Sequence, residues 1–218
     1  MPTSIHDLVS STKVRGDSLY SYYESDKIAL YYNFTVNDIR NGIVDQFVKA
    51  LTKNDVTPNT DLCLVFDSAG SFEFENILLL VAMREFNIST IHVILSDIKY
   101  ANVESRPDIK DLPVTVEFVD GDISMLEAVK RIHADGYKVM LNALFVQKVF
   151  CGDNLIRDMV RSQEAHIQCM NMCLPYGVYF NYSDYTRRDS DQYSVHPICK
   201  NFTEYVKLLR IGCYNGVG

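Results

Sequence analysis

The chain has 218 residues, 47% of them hydrophobic and 22% charged, a balance that suits one globular domain with a sizeable core. Its formal net charge of −7 speaks against a generally basic nucleic-acid binder, though a local basic patch is compatible with it. No apolar run approaches the roughly 18–20 residues of a membrane span, so no membrane partner is expected. Residues 1–18 lack the apolar core of a signal peptide. The six scattered cysteines fit a reducing compartment better than a disulfide framework, which points to the cytoplasm. On that reading the sequons at Asn33, Asn87, Asn181 and Asn201 carry no glycan.

Residues 1–36 read as a polar arm followed by a hairpin, with Tyr-rich runs at 19–23 and 28–34 separated by Glu24, Ser25 and Asp26. From 37 to 218 the pattern is that of one α/β domain. Asn37 is placed to cap a helix over about 38–51, where Ile39, Ile43, Phe47 and Leu51 recur every four residues. A turn containing Pro58 leads into an apolar run from Leu62 that ends in a carboxylate, Asp67. Ser68, Ala69, Gly70 and Ser71 make a turn of small residues, and Ile77, Leu80, Val81 and Arg84 follow at helical spacing. A second apolar run, 90–95, leads to another carboxylate, Asp97. Strand, Gly turn, helix and strand make a βαβ unit. Such units place ligands at the carboxyl ends of the strands, beside the turn and the helix N-terminus.

Past a polar loop with two prolines, residues 114–119 form a third strand, closed by Asp120, Gly121 and Asp122. Ser124 can cap a helix over 125–134 that Asp135 and Gly136 end. Residues 137–146 read as a fourth strand, and a helix runs from about Asn154 to Gln168. A fifth strand follows at 176–182, and a last one at 204–211. The alternation implies a Rossmann-like α/β fold, a mainly parallel sheet with helices on both faces. The strands 62–67, 90–96, 114–119 and 137–145 belong in that sheet, with Leu62, Leu64, Phe66, Ile91, Val93, Val116 and Phe118 buried.

This order of features, over about 38–211, resembles the class I S-adenosylmethionine-dependent methyltransferase superfamily. The resemblance implies S-adenosylmethionine as cofactor, with its methionine part cradled by Asp67, Ser68, Ala69 and Gly70. It implies Asp97 as the ligand of the ribose hydroxyls, since a carboxylate accepts two hydrogen bonds from a diol. Asp120 or Asp122 would stand near the adenine. The family's turn usually carries two or three glycines; here Gly70 is alone.

RNA ribose 2′-O-methyltransferases within that superfamily use a Lys-Asp-Lys-Glu set. On this chain the resemblance puts Asn142 at the Asp position, Asn181 at the second Lys and Glu204 at the Glu, with Lys49 or Lys53 for the first Lys. A second register lays 145–154 on the fifth strand and makes Lys148 the base. In the first register the set is broken, because an amide is no general base at neutral pH.

Three functions stay open. One is a methyltransferase acting on RNA ribose. Another is a catalytically inactive methyltransferase-fold subunit, with a protein partner or a second copy of itself. The third is another nucleotide-binding α/β protein, disfavoured because no Lys-Ser/Thr pair follows Gly70. His166, Cys169, Cys173, His196 and Cys199 are metal-ligand types, but their spacing matches no common zinc module, so no metal ligands are assigned.

Overall fold

The computed structural model describes residues 36–70, 72–109, 112–144, 147–151, 155–180, 195–197 and 210–214. The hairpin expected at 19–34 lies outside them. Helix α1 (Val36–Lys53) precedes strand β1 (Leu62–Asp67), helix α2 (Glu73–Glu85) and strand β2 (Ile91–Ser96). Two short 3₁₀ turns, Ile98–Ala101 and Val103–Ser105, lead to β3 (Thr115–Val119). Next come α3 (Asp122–Ala134), β4 (Lys138–Leu144), β5 (Gln147–Cys151), α4 (Leu155–Met172) and β6 (Tyr176–Phe180). Two further strands are β7 (Val195–Pro197) and β8 (Arg210–Tyr214).

The main sheet has the order β3-β2-β1-β4-β6-β7. The first five of these strands are parallel, and β7 adds antiparallel to β6. This is a Rossmann-like α/β fold. Strands β1, β2 and β4 are mostly apolar, with His92 in β2 and Asn142 in β4 as interior exceptions, because helices cover both of their faces. Alternate β1 side chains divide between two cores. Leu62, Leu64 and Phe66 pack with Ile43 and Phe47 of α1 and with Ile77 and Leu78 of α2. Cys63 and Val65 pack with Met125 and Val129 of α3 and with Ala165 and Cys169 of α4. Each fully buried Leu or Phe contributes about 1.5–3 kcal/mol, so these two layers hold the strand ends in place.

Several details differ from the sequence reading. Val116 and Phe118 are only partly buried, because β3 is the edge of the sheet and has a neighbour on one side only. Phe118 still packs edge-on against the buried Tyr100 ring, 5.3 Å between centroids. Helix α1 begins at Val36, so Asn37 lies inside its first turn instead of capping it. Helix α3 begins at Asp122, with Ser124 inside it; the Ser124 hydroxyl donates to Asp120 at 2.5 Å. The loop after Asp97 is ordered into the two 3₁₀ turns. Of the strand expected at 204–211, residues 204–209 lie outside the described residues; Arg210 and Ile211 open β8, Arg210–Tyr214, which pairs in parallel with β5 in a separate two-stranded sheet.

Candidate functional site

The topological switch point falls between β1 and β4. From β1 the chain proceeds to β2 and β3 on one side, then crosses back to β4 on the other. In open α/β sheets ligands bind outside the carboxyl ends of the strands at that point. Parallel register aligns Asp67, at the end of β1, with Ser96 of β2 and Ala143 of β4, so the turn after β1 lies at this edge.

That turn is built tightly. The Ala69 N–H donates to the Ser96 carbonyl at 3.0 Å, which carries the β1–β2 ladder one step past the strand. Ser68, Gly70 and Phe72 all have positive φ, at 57°, 55° and 64°, a region where only glycine is unstrained. Phe72 is held there by burial and an edge contact with Phe66, 6.2 Å between ring centroids. Gly70 is clamped from both ends. Its N–H donates to Asp97 Oδ2 at 2.9 Å, and its carbonyl accepts from the Tyr100 hydroxyl at 2.6 Å. Asp97 Oδ1 accepts from the Lys99 N–H at 3.1 Å, capping the first 3₁₀ turn. The acidic end of β2 and the lone glycine after β1 therefore form one unit.

As a test of fit to an adenosyl cofactor, the acidic residues divide. Asp97 is half-buried, and each of its oxygens keeps one acceptor site beyond the N–H it already accepts. Asp120 is exposed. Asp67 and Asp122 are buried, at 1% and 8% exposure, and both turn away under α3 and α4 towards His166. Asp97, Gly70 and Asp120 keep exposed surface at this edge; Asp67 and Asp122 are enclosed.

The distal residues sort as clearly. Asn142 is fully buried on β4 and belongs to the strand pairing. Its Oδ1 accepts from the Val178 N–H at 3.2 Å, and its Nδ2 donates to the Met140 carbonyl at 3.3 Å. The strand beside β4 is β6, 176–180. Lys148 lies on β5, outside the main sheet, so the second register does not describe this chain. Asn181 and Glu204 lie outside the described residues. Lys49 is exposed on α1, and Lys53 sits over the Tyr176 ring, 5.1 Å from its centroid.

His166 and the cysteines near it do not act together. His166 Nδ1 faces Asp67 and Asp122, whereas the Cys173 thiol donates to the Cys169 carbonyl at 3.1 Å near the end of α4. The hydrogen bond with Cys173, then burial, pushes the Cys169 thiol pKa well above its ordinary value. Burial raises that of Cys63 in the same way. Both stay thiols and are poor nucleophiles. The sequence named Asp67, Asp122 and His166 separately; nothing in it showed that they meet.

No protein-family model matches this chain, and no curated protein or solved structure matches it. Among the described residues no helix is long and apolar enough to cross a membrane.

Proposed function

We propose that the chain is a methyltransferase-like Rossmann domain that binds S-adenosylmethionine at the carboxyl edge of β1 and β2. The observation that carries this reading is the hydrogen bond from the Gly70 N–H to Asp97. It joins the glycine turn after β1 to a carboxylate able to accept from a ribose diol, beside the switch point of the sheet. When bound, the cofactor supplies an electrophilic methyl group on a sulfonium. The chain's own part is to hold the adenosyl end, with Asp97 on the ribose and Asp120 near the base.

A second reading, a fold that binds without transferring, is favoured by Asn142. Where a ribose methyltransferase would carry an acid, this residue completes a backbone ladder and has no proton to trade.

Calorimetric titration with S-adenosylmethionine, S-adenosylhomocysteine and ATP tests the first proposal. Saturable binding of both adenosyl compounds, weakened at least about tenfold in a folded Asp97→Ala variant, is the expected result. Binding of ATP alone would turn the reading to another nucleotide-binding protein. Methyl transfer from labelled cofactor to capped and uncapped RNA tests the second. Robust turnover by the wild-type chain would overturn the non-transferring reading.

A further inference from the structure

Beneath the strand ends, on the α3 and α4 side of the sheet, three side chains from three distant positions converge. They are Asp67 from the end of β1, Asp122 from the start of α3 and His166 from the middle of α4. All three are buried, and one ligand atom from each lies within 4.8 Å of the others. His166 Nδ1 is 3.5 Å from Asp67 Oδ2 and 3.6 Å from Asp122 Oδ1. We infer that this cluster is a binding site for a zinc-type divalent cation, a capacity that does not depend on cofactor binding.

Geometry favours a metal ion over a shared proton. A histidine N–H bonded to a carboxylate brings nitrogen and oxygen to roughly 2.7–3.2 Å, and both separations here are longer. Ligands bound tetrahedrally at about 2.0–2.2 Å stand roughly 3.4 Å apart, the spacing of a zinc site. Magnesium takes oxygen ligands and keeps several waters, so an imidazole in the set suits zinc better.

The surrounding hydrogen bonds also suit it. The Ser68 hydroxyl donates to Asp67 Oδ1 at 3.4 Å, and the Ser162 hydroxyl donates to Asp122 Oδ2. In each carboxylate one oxygen accepts from a serine, and an oxygen lies within 3.6 Å of His166 Nδ1. This is how outer groups orient monodentate ligands in metal sites. Gln163, three residues before His166 on α4, is also buried, and its Oε1 has no hydrogen-bond partner among the described residues. One imidazole and two carboxylates form a donor set that zinc accepts. The positive end of α3 opposes a cation there, but it amounts to roughly half a charge against two full carboxylate charges.

The test uses the full chain, stripped with a chelator, loaded separately with Zn²⁺ and Mg²⁺, and desalted before metal analysis. The expected result is about one zinc per chain, little magnesium, and a rise in melting temperature with zinc alone. His166→Ala and Asp67→Asn should each weaken zinc binding at least about tenfold. Should those variants fail to fold, the wild-type chain loaded with Co²⁺ still decides the matter. A tetrahedral d–d spectrum without thiolate charge transfer supports the site; a thiolate band assigns the metal to cysteines and overturns it. No retained zinc in the wild-type chain, or equal retention in folded variants, overturns it as well.

Discussion

Asp97 carries two duties whose effects have to be measured apart. It accepts the Gly70 and Lys99 backbone N–H groups, so removing its carboxylate leaves two donors at a half-buried turn without their acceptor. Asp97→Ala should lower stability by about 1.5–3 kcal/mol by urea unfolding, with or without any ligand. Asp97→Asn keeps one acceptor oxygen and should cost less. An unchanged urea midpoint in Asp97→Ala would mean that the turn does not depend on this carboxylate. His92 makes a second prediction at this scale. Burial, opposed by Glu117, lowers its pKa from 6.5, and its Nε2 lies 3.8 Å from Glu117, which Arg131 grips at 2.5 Å. The unfolded chain therefore takes up a proton on His92 at a higher pH than the folded chain does. Stability from the neutral ring is complete above about pH 6.5 and is lost as the pH falls through the lowered folded value. His92→Gln should flatten the decline in urea midpoint below about pH 6.5 relative to wild type; parallel curves for the two proteins would exclude His92 as its source.

The elements differ in how much substitution should cost them. Leu64 is fully buried in the middle of β1 between β2 and β4, whereas Val116 is half-buried on the edge strand β3. Leu64→Ala should cost about 2–5 kcal/mol. Val116→Ala should cost well under half as much, and equal losses in denaturant titrations would contradict the edge position of β3. The same contrast explains what was legible in the sequence. The strand 62–67 could be bounded to the residue, because a strand covered on both faces is an uninterrupted apolar run closed by a polar residue. For β3 the expected burial of Val116 and Phe118 overshot, since an edge is a property of strand order and periodicity carries no strand order. The site was legible in its parts only. Asp67, Gly70 and Asp97 could be placed at strand ends, yet the bond joining Gly70 to Asp97 depends on the parallel register of β1 with β2. Asn142 stood at a catalytic position by the resemblance alone; its role in the strand pairing rests on a hydrogen bond to Val178 that crosses 36 residues of chain, which no local pattern encodes. His166 likewise meets carboxylates 44 and 99 positions earlier in the numbering, at 122 and 67, a convergence that no local spacing encodes.

Across the whole molecule, one side chain ties the first described helix to the last parallel strand of the main sheet. Asn54, just past the end of α1, is 7% exposed. Its Nδ2 donates to the Tyr176 carbonyl at 2.8 Å, and its Oδ1 accepts from the Tyr176 N–H at 3.2 Å, across 122 residues. The amide thus satisfies both backbone groups at the start of β6, where the β6–β4 pairing does not reach them, since that pairing begins at Tyr179. Lys53 adds its contact with the Tyr176 ring. Asn54→Ala would leave a donor and an acceptor unsatisfied in a half-buried place, at a cost of about 1–3 kcal/mol. If residues 36–180 unfold as one cooperative unit, that loss should lower the urea midpoint of a single transition and leave its slope unchanged. Amide exchange should also quicken at Tyr176 more than in β1, which the variant leaves packed on both faces. A second transition, with β1 and β2 persisting after β6 has melted, would show instead that α1 and β6 form a unit stable apart from the central βαβ layer.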